Sequence, residues 1–204
     1  MYARTTVIRG DKKGIGEGMA YIRDEAMPQL RSMDGFVGIS MLAEGATGRC
    51  IVTSAWADAG AMDKHAERMS TMRGRLVQSF HGEPDVDEWE IAVVHRLNPA
   101  GDGGHAHVTW VRSDEADKLV EGYKNTLLPE LEQLPGFRSI SLMVDRDGGR
   151  LVSTVTFESP ETLTRNRARA HELGDGLAAE LGAEVTDRAE MDLLMAHLHV
   201  PETA

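Results

Sequence analysis

Residues 27–42, MPQLRSMDGFVGISML, return as residues 128–143, LPELEQLPGFRSISLM, and the fold is read outward from that return. Pro28, Leu30, Gly35, Phe36, Ile39 and Ser40 recur as Pro129, Leu131, Gly136, Phe137, Ile140 and Ser141, all shifted by 101 positions. The same shift pairs Gly48-Arg49 with Gly149-Arg150, Thr53 with Thr154, Trp56 with Phe157, Arg68 with Arg169 and Leu76 with Leu177. A match held without a gap over most of one copy means a tandem repeat. In 204 residues this gives two small domains rather than one large one. Each half alone buries only a modest core, so the two copies are expected to pack together within the chain.

Within the first copy, residues 2–9 alternate and carry the β-branched run TTVI, which predicts a strand. Met19, Ile22, Ala26, Leu30 and Met33 follow at three- and four-residue steps, predicting a helix over 16–33 that Pro28 must kink. Residues 36–43 and 49–56 read as a strand pair joined by the turn at 44–48. Asp58 offers an N-cap for a helix over 59–79, and EWEIAVVHRL at 88–97 reads as a closing strand. The second copy repeats the order: strand 105–112, helix 114–134, strands 137–145 and 150–157, helix 160–181 opened by Ser159-Pro160-Glu161, and strand 190–199. Both halves are thus α+β units of βαββαβ order, ferredoxin-like, spanning 1–97 and 105–200, with NPAGDGG at 98–104 as the linker.

A formal charge of −11 sets a field that repels nucleic acid and anionic membranes. No window approaches the roughly 20 apolar residues of a membrane span, and no signal-length apolar segment opens the chain. The lone Cys50, in the apolar run CIVTSAW, excludes an internal disulfide and reads as a buried thiol in a reducing compartment. The expected location is the cytoplasm. There is no Gly-rich phosphate loop, nucleophile elbow or zinc-protease helix motif.

Trp56 closing the third strand, then Asp58, Ala61-Met62 and His65, resembles the signature of the antibiotic biosynthesis monooxygenase domain family. PGF at 135–137 and DGF at 34–36 carry the same likeness into both copies. The resemblance implies a dimeric α/β barrel, here built within one chain, with a cavity between the sheets. It further implies a cofactor-independent monooxygenase for an aromatic or polycyclic small molecule. Other members degrade haem, and others have no known activity, so a non-catalytic small-molecule-binding or structural protein is the second expectation. His65 stands where a haem-degrading member would hold iron, yet the first strand offers RTTVI where such a member carries asparagine. The first expectation is therefore no cofactor, with haem binding or haem degradation the lesser alternative. Phe157 and Asn166 replace Trp56 and His65 in the second copy, which confines a site needing that pair to the first.

His65 is the candidate base and Trp56 a candidate wall, with Tyr21, Trp110 and Tyr123 as further candidate substrate contacts. Trp89 and eleven methionines suit either an adaptable cavity or an irregular core. Outside the family pattern, His105 and His107 share one strand face, as do His197 and His199. If the first and last strands of that copy are antiparallel neighbours, four imidazoles converge as a candidate divalent-metal site. Self-association beyond the paired copies is compatible with the sequence.

Overall fold

The computed structural model describes residues 1–97 and 103–198. The linker reading at 98–104 falls mostly outside the described residues, as does His199. Two compact units are present. Unit 1 holds Met1–Trp89 and residues 192–198, and unit 2 holds Glu90–Met191.

Unit 1 begins with β1 (Tyr2–Arg9) and α1 (Gly14–Tyr21), followed by a π-turn (Ile22–Ala26) and α2 (Met27–Leu30). The expected kink at Pro28 is realised one turn earlier. Pro28 has no N–H to donate, and the Met27 N–H instead reaches the carbonyl of Ile22, widening the helix. Then come β2 (Phe36–Glu44), β3 (Arg49–Trp56), α3 (Ala59–Lys64) and α4 (Ala66–Phe80). Asp58 caps α3 as expected, accepting from the Ala61 N–H at 2.8 Å. The single helix read over 59–79 is broken at His65, whose backbone leaves helical geometry at φ −105° and ψ 8°.

Unit 2 repeats this order: β5 (His105–Arg112), α5 (Ala116–Gly122), a π-turn (Tyr123–Leu127) and α6 (Leu128–Leu131). They are followed by β6 (Phe137–Asp145), β7 (Arg150–Phe157) and α7 (Pro160–Glu180). Ser159 and Thr162 close a capping box on α7. Gly35 and Gly136 open β2 and β6 with φ of 76° and 77°, and a Cβ there would meet the Ala61 and Thr162 side chains at 2.5 and 2.8 Å. Only glycine fits both the left-handed backbone and that approach.

The last strand of each copy is longer than its sequence suggests, and the reason is topological. β4 (Glu83–Arg96) and β8 (Glu184–Leu198) each begin in one unit and end in the other. The hydrogen-bonded order is β1-β3-β2-β8-β5-β7-β6-β4, that of a closed eight-stranded barrel. The C-terminal half of β8 pairs with β2, and that of β4 pairs with β6. The charged openings of these strands, EPDVD and EVTDRAE, mask the strand pattern.

Each unit has its own core. That of unit 1 includes Ile8, Ile22, Leu30, Met41, Trp56, Met62 and Phe80, and that of unit 2 includes Leu119, Tyr123, Leu131, Ile140, Leu142 and Phe157. Cys50 is buried in the first core, and burial pushes its thiol up to about 12, so it is an unreactive packing group at neutral pH. No helix among the described residues is long and apolar enough to cross a membrane.

Candidate functional site

In β1, alternate residues Arg4 and Thr6 face the helices, as do Val52 and Ser54 in β3. Register aligns Arg4 with Ser54, and Ser54 with Ile39 of β2. Over this row lies a cavity of about 40 Å³, roofed by Tyr21 and the π-turn and by Met69, Met72 and Arg73 of α4. Such a volume holds about three waters.

Arg4 is buried, at 6% exposure. Its Nε donates to Glu88 Oε1 at 2.9 Å, its Nη2 also reaches Glu88, and Asp63 lies at 3.8 Å. Nη1 is buried without a hydrogen-bond partner, and so is the Tyr21 hydroxyl. Burial pushes the Tyr21 phenol up, with the nearby Arg75 opposing. Arg73 is held below the usual guanidinium range, first by burial and then by the positive charge of Arg4.

The Trp56 indole N–H donates to Ser54 Oγ at 3.2 Å, so the tryptophan connects to the cavity through that hydroxyl. Trp56 is fully buried and does not itself line the cavity. His65 stacks on its outer side, with ring centroids 5.6 Å apart and planes at 25°. Phe36 meets Trp56 edge-on at 5.6 Å. The His65 Nε2 is buried without a partner. The structure thus brings together Trp56 and His65, and puts Tyr21 in the cavity lining with Ser54.

The second unit carries a cavity of about 30 Å³ in the corresponding place. Tyr123 lines it, from a position equivalent to Ile22 rather than Tyr21. Trp110 lines neither cavity, and its carbonyl accepts from the Thr186 hydroxyl at 3.3 Å. Trp89 is buried, with its indole N–H on Thr5 Oγ1 at 2.9 Å.

The cavity of unit 2 contains a pair that the sequence reading did not single out. His107 and His171 have ring centroids 4.5 Å apart, tilted by 42°. Burial, and then the His171 ring, push His107 down to about 4, so it is neutral at physiological pH. Both ring nitrogens of His107 and the Nε2 of His171 are buried without partners. Arg167 and Arg188 beside them are committed to Glu190 and Asp175.

Of the four imidazoles of the candidate metal site, His199 lies outside the described residues. His105 and His107 pair across to Phe157 and Val155 in unit 2, whereas His197 pairs across to Ile39 in unit 1. In the strand order β8 lies between β2 and β5, and its end is bonded to β2. Among the described residues no group of three or more His, Cys, Asp or Glu side chains is arranged to hold a metal ion.

No family model matches the chain. It is 43% identical to the Mycobacterium tuberculosis protein "Uncharacterized protein Rv2557", over 99% of this chain and 91% of that protein. It is 44% identical to "Uncharacterized protein Rv2558" of the same organism, over 99% and 87%. Among solved structures, a Lactobacillus acidophilus protein with a provisional monooxygenase name aligns at a TM-score of 0.70 and 14% identity, covering 97% of this chain and 96% of its own. An anthrone oxidase-like protein aligns at 0.68 and 11%, covering 100% and 95%. A Listeria monocytogenes ferredoxin-fold protein related to antibiotic biosynthesis monooxygenases aligns at 0.52 and 9%, covering 94% of each chain. These structural likenesses establish the fold, which is of the antibiotic biosynthesis monooxygenase type.

Proposed function

We propose, from the premise that this chain belongs to the family of the Mycobacterium tuberculosis proteins Rv2557 and Rv2558, that it is a cofactor-independent monooxygenase working through unit 1. The substrate class is a small, electron-rich aromatic molecule with an acidic C–H or O–H. One observation carries the reading: Trp56 and His65 stand stacked and are linked through Ser54 to a cavity walled by a buried arginine.

His65 is the base in this reading, with an unpartnered buried nitrogen for the substrate proton. The carbanion left behind supplies the electrons to dioxygen. For a methylene substrate, CH₂ and O₂ become C=O and H₂O, with one oxygen atom in the product and one in water. Trp56, which does not line the cavity, seats the His65 ring and reaches the cavity only through Ser54. Met69 and Met72 are the flexible groups that would move to admit a ring into a cavity of about 40 Å³.

A second reading, a non-catalytic binding protein of the same fold, is favoured by that small volume and by the absence of Trp56 and His65 from the cavity lining. Oxygen consumption with anthrone as probe substrate separates the two. The monooxygenase reading expects protein-dependent uptake without added cofactor, accompanied by anthraquinone. Uptake no faster than the buffer rate across a panel of enolisable and phenolic aromatics would leave the binder.

A further inference from the structure

In a chain of net charge −11, two guanidiniums share one small cavity. Arg4 reaches it from the middle of β1 and Arg73 from the facing side of α4, and neither helix nor strand packing requires a cation there. The carboxylates that answer Arg4, Glu88 and Asp63, are both exposed. They leave Nη1 bare on the buried side. A charged N–H kept from water without an acceptor is unfavourable, so this geometry is one that an incoming acceptor relieves. The Tyr21 hydroxyl, also unpartnered, and the Ser54 hydroxyl line the same cavity. The remaining wall is aliphatic, with Ile22, Leu30, Ile39 and Met72 among its members.

We infer that the cavity of unit 1 is an oxyanion subsite, in which Arg4 and Arg73, assisted by Tyr21, hold the anionic head of a small apolar molecule while the aliphatic wall takes its body. The head is a carboxylate, enolate or phenolate oxygen, since the aliphatic wall calls for an apolar body behind the anion, and about 40 Å³ takes the head while Met69 and Met72 move aside for that body. This inference rests on the choice of unit 1 as the working unit. It narrows the substrate of the proposed reaction to a molecule whose head is anionic when bound beside Arg4.

The test is calorimetric titration of the full chain with benzoate and with its neutral isostere benzamide. Benzoate is expected to bind at least tenfold more tightly. Arg4→Gln and Arg73→Gln should each remove that preference, whereas Lys13→Gln, a change on an exposed loop, should leave it intact. Thermal melts identify an Arg4 variant that has failed to fold, in which case Arg73→Gln, a partly exposed position, carries the result alone. Equal affinity for acid and amide, no binding of either, or a preference surviving both arginine changes would overturn the subsite. Its fate is separable from that of the oxygenase reading: benzoate preference without oxygen uptake leaves a binding protein, and uptake without benzoate preference leaves an enzyme that does not use these arginines.

Discussion

At residue 65 the helix of unit 1 stops and restarts, whereas at the equivalent residue 166 the helix of unit 2 runs on unbroken. The break carries His65 onto the face of Trp56 and leaves its Nε2 unpartnered. Asn166 instead donates to the Pro135 carbonyl at 2.8 Å and is buried, so it ties the helix to the loop before β6. One scaffold position thus carries an unpartnered imidazole nitrogen in one unit and ties helix to loop in the other. The first-strand row does not divide in that way, since Arg4 beside Ser54 in unit 1 and His107 beside Val155 in unit 2 both hold buried nitrogens without partners. A polar group without a partner signals function more strongly than a polar group that is satisfied.

The comparison breaks first at the rings. Trp56 and Phe157 are both fully buried, and each is expected to cost about 3–5 kcal/mol on replacement by alanine. Urea unfolding should report similar losses. A loss at Trp56 below about 1 kcal/mol would mean that its ring is not part of the core.

Acid should expose unit 2 next. Because His107 is held near 4 in the folded chain against an ordinary value of 6.5, the unfolded chain binds the extra proton first. Stability is therefore full above about pH 6.5 and falls as pH drops towards 4, by roughly 3 kcal/mol over that window. His107→Leu should flatten this dependence in urea titrations across that pH range. An unchanged acid slope in the variant would assign it to other groups.

Smaller still is the expected contrast at the paired helix position. Asn166→Ala breaks a buried hydrogen bond and should cost about 1–3 kcal/mol, while His65→Ala removes a ring with an unsatisfied nitrogen and should cost less than about 1 kcal/mol. Equal losses would show that His65 is a packing residue.

The repeat made the order of strands and helices legible, because Pro28, Gly35 and Phe36 have counterparts that fix the register of the copies. The π-turns were visible only as a conflict between helical spacing and a proline. The helix break at His65 left no trace, since no glycine or proline stands beside it. The exchange of last strands was hidden because pairing partners are a long-range property that alternation within a strand does not encode.

The cavity residues were partly legible. Tyr21 and Tyr123 lie at the two cavities, but Arg4 escaped notice and His107 stood out only as a candidate metal ligand, because the gap-free shift fails at the first strand. Register aligns Tyr2 with Trp56 and His105 with Phe157, so these strands are related by 103 positions. ARTTVIR set against AHVTWVR, with Ala, Thr and Arg in step, was the available signal, and it requires a two-residue gap before the first helix.

The central claim, that unit 1 is the working unit, is tested most directly by measuring oxygen consumption with anthrone for paired variants of the full chain. His65→Ala should lower the rate at least 100-fold, in keeping with loss of a general base, while His171→Ala in the cavity of unit 2 should change it less than twofold. A large loss in His171→Ala with His65→Ala near wild type would contradict the account and move the working site to unit 2.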